Sequence, residues 1–243
     1  MQLIVANRMI FLSVLRDDSD SARAALERWQ CRLPARSANR PQSSVAYALL
    51  FDLLSEVYGG MAETLQIDHE DSGRPFLRDE SGLHGQMPFI SISHSANWVG
   101  CVATRHGDIG LDLEMARPGR DVIGMADAAF GPTEVAEVRR VGAAAFYRIW
   151  SLREAQAKAL GRGLAMVIDR QDHVPISPET GSWSTVNNGN RWSWLVDQPH
   201  ENLHLAIAVR EDQSVRPNHS TMQVQKCHVS SELAFGPSVQ ITL

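Results

Sequence analysis

Three carboxylates and one lysine are the residues of this chain best suited to chemistry. Asp112 and Glu114 stand two apart in DIGLDLEM (108–115), which alternates as a strand does. Both side chains then leave one face of the strand, while Leu111 and Leu113 point into the core. Such a pair suits a hard cation such as magnesium, or it is the solvated side of an amphipathic strand. Glu154 lies in FYRIWSLREAQAKALGRG (146–163), which reads as a helix. At ~3.6 residues per turn, Glu154 falls roughly 40° and Lys158 roughly 80° around the axis from Trp150. Phe146, Ile149, Ala157 and Leu160 extend the apolar arc, so the helix should be largely buried. On a surface, a Glu–Lys pair four apart contributes only ~0.2–0.5 kcal/mol. A buried charge must instead be paired or bound to something. Glu154 is the third carboxylate a magnesium site needs, the remaining ligands coming from waters and substrate phosphates.

A second group could hold anions. His94 near the end of FISISHS (89–95) has the parity of Ile90 and Ile92 and lies between Ser93 and Ser95. It is either a core-facing histidine or a phosphate or hydroxyl contact at the strand's end. Gly73-Arg74-Pro75 is a tight turn carrying one guanidinium. Arg36 and Arg40 form a small basic patch between Pro34 and Pro41, unless they are only solvated loop charge.

The elements that must position these groups follow from periodicity. A first strand is expected over 2–15 and a helix over 18–30. A helix over 43–58, capped by Ser43 or Ser44, ends at Gly59-Gly60. Short strands follow at 64–67 and 76–78, then a polar loop at 79–87. An antiparallel meander is expected from 89–95, 98–104 and 108–115. Helices come next at 122–130 and 134–141, the latter capped by Thr133. After the helix at 146–163, strands at 191–196 and 203–209 close the sheet. The polar stretch 212–243 reads as a tail that is loose or docks weakly. This order gives an α+β fold in two halves of similar size, 1–106 and 107–211.

Composition narrows the class. The chain has 243 residues, 44% hydrophobic and 21% charged, as an ordinary globular protein does. A net charge of -5 argues against wholesale nucleic-acid binding. The three cysteines, Cys31, Cys101 and Cys227, show no metal or disulfide spacing, which favours a reducing compartment. No stretch reaches the ~20 apolar residues of a membrane span. A soluble, cytoplasmic protein with no nucleic-acid or membrane partner is expected.

Taken together, SGRPFL (72–77), ISISHS (90–95), GLDLE (110–114), AFGPTE (129–134) and WSLREAQAKALGRGL (150–164) resemble the 4′-phosphopantetheinyl transferase superfamily. The likeness is greatest to its single-chain, surfactin-synthetase-activating type. It implies a pseudo-dimer of two similar α/β halves, each a small, mostly antiparallel sheet packed with helices. It implies a magnesium-dependent enzyme of the holo-[acyl-carrier-protein] synthase kind, moving the 4′-phosphopantetheine arm of coenzyme A to a serine of an acyl or peptidyl carrier protein. Asp112 and Glu114 match the magnesium carboxylates. Glu154 matches a glutamate that joins the metal and is the favoured general base, and Lys158 a lysine on the coenzyme A phosphates. Ser93, His94 and Gly73-Arg74-Pro75 match coenzyme A contacts, while Arg36, Arg40 and Ser44 fall near contacts to its 3′-phosphate. Arg153 and Arg74 stand where the family usually has lysine, and altered phosphate contacts are expected from both. The segment 130–141, with Arg139 and Arg140, is the candidate carrier contact, and a monomer is the simplest expectation. Two other readings remain: a non-catalytic relative that binds coenzyme A or a carrier protein, and an unrelated magnesium-dependent phosphohydrolase.

Overall fold

A strand buried at every position needs a partner on each edge and a layer on each face. Trp98–Thr104 (β5) is such a strand. In the computed structural model, which describes residues 9–79, 87–176, 180–187, 189–211 and 223–235, it lies between Met9–Arg16 (β1) and Phe89–Ser95 (β4). Both neighbours pair with it antiparallel. Residues 2–8 of the expected first strand lie outside the described residues.

The fourth strand of this sheet comes from the polar C-terminal stretch. Gln223–Val229 (β10) pairs parallel with β1, so this part of 212–243 is an ordered edge strand. Val224 packs with Ile10, Leu12 and Val14, and Cys227 packs against the α2 side, apolar contacts masked by their polar neighbours.

One face of the sheet is covered by Pro41–Tyr58 (α2), through Leu49, Leu50, Leu53 and Leu54. Asp20–Trp29 (α1) lies outside α2, with Trp29 stacked on Phe51 at 5.2 Å. Neither Ser43 nor Ser44 caps α2. Pro41 occupies its first turn, where a missing N–H costs nothing, and the helix starts earlier than expected.

Gly107–Met115 (β6) leaves the expected meander and opens a second antiparallel sheet. It runs in the order β6, Leu203–Glu211 (β9), Asn190–His200 (β8) and Gly181–Asn187 (β7), the last absent from the sequence reading. Ala143–Leu160 (α5) covers one face, with Val122–Ala129 (α3), Pro132–Val141 (α4) and Leu164–Val167 (α6) around it. Gly131, not Thr133, is the N-cap of α4, because Pro132 starts the helix and Glu134 bonds back to the Gly131 N–H.

The other faces of the two sheets pack on each other. Leu12, Val14 and Val102 meet Leu111, Leu113, Leu205 and Ile207 there. Leu111 and Leu113 thus point inward as their alternation requires, and Asp112 and Glu114 face α5. A separate hairpin, Leu65–His69 (β2) with Pro75–Asp79 (β3), carries the Gly73-Arg74-Pro75 turn. Among the described residues no helix is long and apolar enough to cross a membrane.

Candidate active site

β6 and α5 bring the predicted charges together. Lys158 Nζ donates to Asp112 Oδ1 at 2.8 Å, to Ser93 Oγ at 2.9 Å and to the Leu111 carbonyl at 3.0 Å. An ammonium has three protons, and here all three are used within the protein. Asp112 is 5% exposed, and its Oδ2 is buried without a partner. Glu114 accepts from Ser95 Oγ at 3.1 Å and from Arg120 Nη1 at 3.3 Å.

Burial pushes the Glu154 carboxyl above its usual range, with the charges of Asp112 and Glu114 adding to the rise and Lys158 opposing it. Burial and then Asp112 raise Glu114 as well, against the Ser95 hydrogen bond and Arg120. Among the described residues no three Asp, Glu, His or Cys side chains are arranged to hold a metal as they stand. Lys158 and Ser93 take one oxygen of Asp112, and Ser95 and Arg120 each take one of Glu114. The donor set still fits a hard divalent cation. It offers carboxylate oxygens that destabilise one another, and one of them is a buried acceptor with nothing to accept.

Beside this acidic junction opens a cleft of about 360 Å³. Arg36, Arg40, the 73–75 turn, His94 and Lys158 all line it, so one concave surface gathers cationic and polar groups from the segment before α2, the β2–β3 turn, β4 and α5. His94 keeps the parity of Ile90 and Ile92, yet it is exposed, because that face packs into the core at Ile90 and opens onto the cleft by its His94 end. Burial, Lys158 and Arg40 hold its imidazole below the ordinary pKa.

Ser44 is not part of this lining. Its hydroxyl donates to the Ser37 carbonyl at 2.9 Å. Ser43 faces the cleft instead, 3.4 Å from His94 Nε2. The earlier start of α2 turns the first serine, and not the second, toward the cleft. Tyr47, one turn further on, also lines it and pairs its hydroxyl with His69 Nε2 at 2.7 Å. The spacing of 43 and 47 along one helix face was the signal that could have found both.

The two arginines that replace lysines behave differently. Arg74 lines the cleft and donates to Asp108 Oδ1 at 2.6 Å. Arg153 lies away from the cleft and is 1% exposed. Its guanidinium bonds to Glu134, to the Gln171 carbonyl at 2.8 Å and to Asp169 at 3.2 Å, and lies over the Phe130 ring at 5.1 Å. The expectation of altered phosphate contacts at Arg153 is therefore corrected: it binds α4 to the segment after α6. Arg139 and Arg140 are exposed on α4 but paired with Asp127 and Glu137, which offset the charge they offer a partner.

A carboxylate junction thus stands beside an arginine-lined cleft, the two joined by Lys158. Residues 108–208 match the model of the 4′-phosphopantetheinyl transferase superfamily, a span that includes all four charged residues of the junction. The chain is 29% identical over 178 residues to the 4′-phosphopantetheinyl transferase HetI of Nostoc, covering 70% of this chain and 71% of that one. It is 26% identical over 153 residues to a 4′-phosphopantetheinyl transferase of Bacillus subtilis, covering 61% and 65%. It is 25% identical over 147 residues to the transferase Sfp of Bacillus subtilis strain 168, covering 59% and 62%. The two Bacillus proteins are thus matched over less than two thirds of their length. The resemblance carried by the motifs is shown by these likenesses, and it extends to Sfp.

Proposed function

We propose that the protein transfers the 4′-phosphopantetheine arm of coenzyme A to a serine of an acyl or peptidyl carrier protein, with magnesium. The observation that supports this reading is the meeting of Asp112, Glu114 and Glu154 with Lys158, which itself lines the basic cleft. A further reading goes with it, that the chain is a pseudo-dimer. In its favour, each of the two four-stranded sheets is covered by one 18-residue helix, α2 or α5, with β10 from 223–229 completing the first sheet.

In the proposed mechanism, Arg36 and Arg40 bind the nucleotide end of coenzyme A by its 3′-phosphate. The 73–75 turn and His94 flank the rest of the nucleotide, while Ser93, buried and bonded to Lys158 and Asp112, stands behind the cleft lining. Asp112, Glu114 and Glu154 would hold magnesium, which when bound neutralises charge on the pyrophosphate. Glu154 takes the proton from the carrier serine, and the raised pKa of its buried carboxyl brings it closer to the working range of a base. The serine oxygen bonds to the phosphorus that bears the pantetheine arm. The phosphoanhydride bond breaks, and adenosine 3′,5′-bisphosphate leaves with the electron pair. Lys158 exchanges one of its internal hydrogen bonds for a phosphate oxygen and stabilises the departing charge. The carrier docks along α4, and the enzyme acts as a monomer in the cytoplasm.

The test is incubation with coenzyme A, magnesium and a panel of apo carrier domains, read by carrier mass and by release of adenosine 3′,5′-bisphosphate. Arm transfer to at least one carrier is expected. Coenzyme A binding without transfer to any carrier overturns the reading.

A further inference from the structure

β4 and β6 are the facing edges of the two sheets. Between them the N–H groups of Leu111, Leu113 and Met115 meet serine hydroxyls in place of carbonyls. They donate to Ser91 Oγ at 3.1 Å, Ser93 Oγ at 3.1 Å and Ser95 Oγ at 3.0 Å. Three serines two apart share one face of a strand, and all three are buried. Unpaired strand edges would leave those N–H groups orphaned, so the serines satisfy a need that arises wherever two sheets abut.

A hydroxyl has two acceptor lone pairs and one proton. Each serine that has accepted from the β6 backbone therefore still has a proton to give. Ser93 gives it to Asp112 Oδ1 at 3.2 Å, and Ser95 to Glu114 Oε2 at 3.1 Å. The register repeats: each serine accepts the N–H of one residue and donates to the carboxylate of the residue before it. At the third rung the preceding residue is Gly110, so Ser91 makes the backbone bond and has no carboxylate to orient.

We infer that Ser95, with Ser93, is a positioning residue for the metal carboxylates, fixing their side chains through the same hydroxyls that join the sheets. The inference rests on the proposed metal role of Asp112 and Glu114. A strand edge that only needed closing would be served by the backbone bonds alone. The carboxylate bonds occur only at the two rungs where a carboxylate stands. Partners that orient metal-ligating side chains typically matter 10–100-fold in metal affinity. Ser95 is the cleaner of the two to test, because Ser93 also accepts from Lys158.

The experiment titrates manganese into the full chain saturated with coenzyme A, by calorimetry, and follows thermal unfolding in parallel. Ser95→Ala should weaken manganese binding about tenfold or more. Ser91→Ala loses the same kind of backbone bond, so its unfolding temperature should fall similarly while manganese affinity stays within about twofold, since no carboxylate is released. Ser95→Thr keeps the hydroxyl and should recover most of the affinity. If Ser95→Ala does not fold, Ser95→Cys, a weaker donor, should show a smaller loss in the same direction. Equal manganese affinity in the Ser91 and Ser95 variants overturns the inference and leaves the transfer reading intact. A wild-type chain that is protected by coenzyme A yet takes up no manganese overturns the metal role of Asp112 and Glu114, and the role of Ser95 with it.

Discussion

A β-carbon on Gly110 would stand 1.8 Å from the carbonyl oxygen of Ala155 and 2.8 Å from the backbone nitrogen of Ala159. The glycine of GLDLE is therefore the contact that lets β6 lie directly under α5. With any side chain there, the strand must move away from the helix, and Asp112 moves away from Lys158 with it. Gly110→Ala should cost about 1–3 kcal/mol as an overpacking change, read as a lower urea midpoint. Coenzyme A protection should fall with it, because the junction opens at the mouth of the cleft. An unchanged midpoint would mean that the two backbones can separate freely.

Glu154 and Glu114 hold their protons more tightly in the folded chain than ordinary carboxyls do, through burial first and then the charge of Asp112. Stability from these two groups is fully present below the usual carboxyl range. It is lost as pH rises through their raised folded values. Glu154→Gln removes one share of that loss. At neutral pH without metal the variant should melt at or above the wild-type temperature. Transfer should drop about 10²–10⁴-fold, as for loss of a positioned base. Near-normal turnover would show that Glu154 is not the base.

The acidic junction was legible because strand parity and helix angle are local properties. Asp112, Glu114, Glu154 and Lys158 could be assigned to faces from spacing alone, and β6 and α5 present those faces to each other. The role of Arg153 was not legible, since its partners Glu134 and Asp169 lie 19 and 16 residues away on other elements. Periodicity carries no information about such contacts. The serines of FISISHS were visible as an alternation, but their burial depends on which sheet edge faces them. β10 was missed because a parallel edge strand anchored by Val224 and Cys227 need not be apolar elsewhere.

Arg153 is a buried hub, and its loss should show in stability before chemistry. Arg153→Ala leaves Glu134, which is fully buried, without its countercharge. Breaking such a pair typically costs about 3–5 kcal/mol. Arg153→Lys keeps the charge but loses the fork that reaches Glu134, Asp169 and the carbonyls together, and about 1–3 kcal/mol is expected. In either variant the protein that remains folded should keep its KM for coenzyme A, measured below the unfolding transition. A raised KM with unchanged stability would return Arg153 to the phosphate site.

Arg74 lines the cleft, yet its guanidinium is held by Asp108, which Arg210 also contacts at 3.1 Å through Nε. The turn at 73–75 is thereby fastened to the first residues of β6 across the two halves. Arg74→Ala and Asp108→Asn should then raise the coenzyme A KM by similar amounts, since each unfastens the same turn. A loss of about 1 kcal/mol corresponds to roughly fivefold. The double variant should be no worse than the poorer single one, as partners in one interaction are not additive. A phosphate ligand would behave otherwise. Freed from Asp108, Arg74 would bind the nucleotide more tightly, so Asp108→Asn would lower the KM while Arg74→Ala raised it. The sign of the Asp108→Asn effect alone separates a fastening from a ligand.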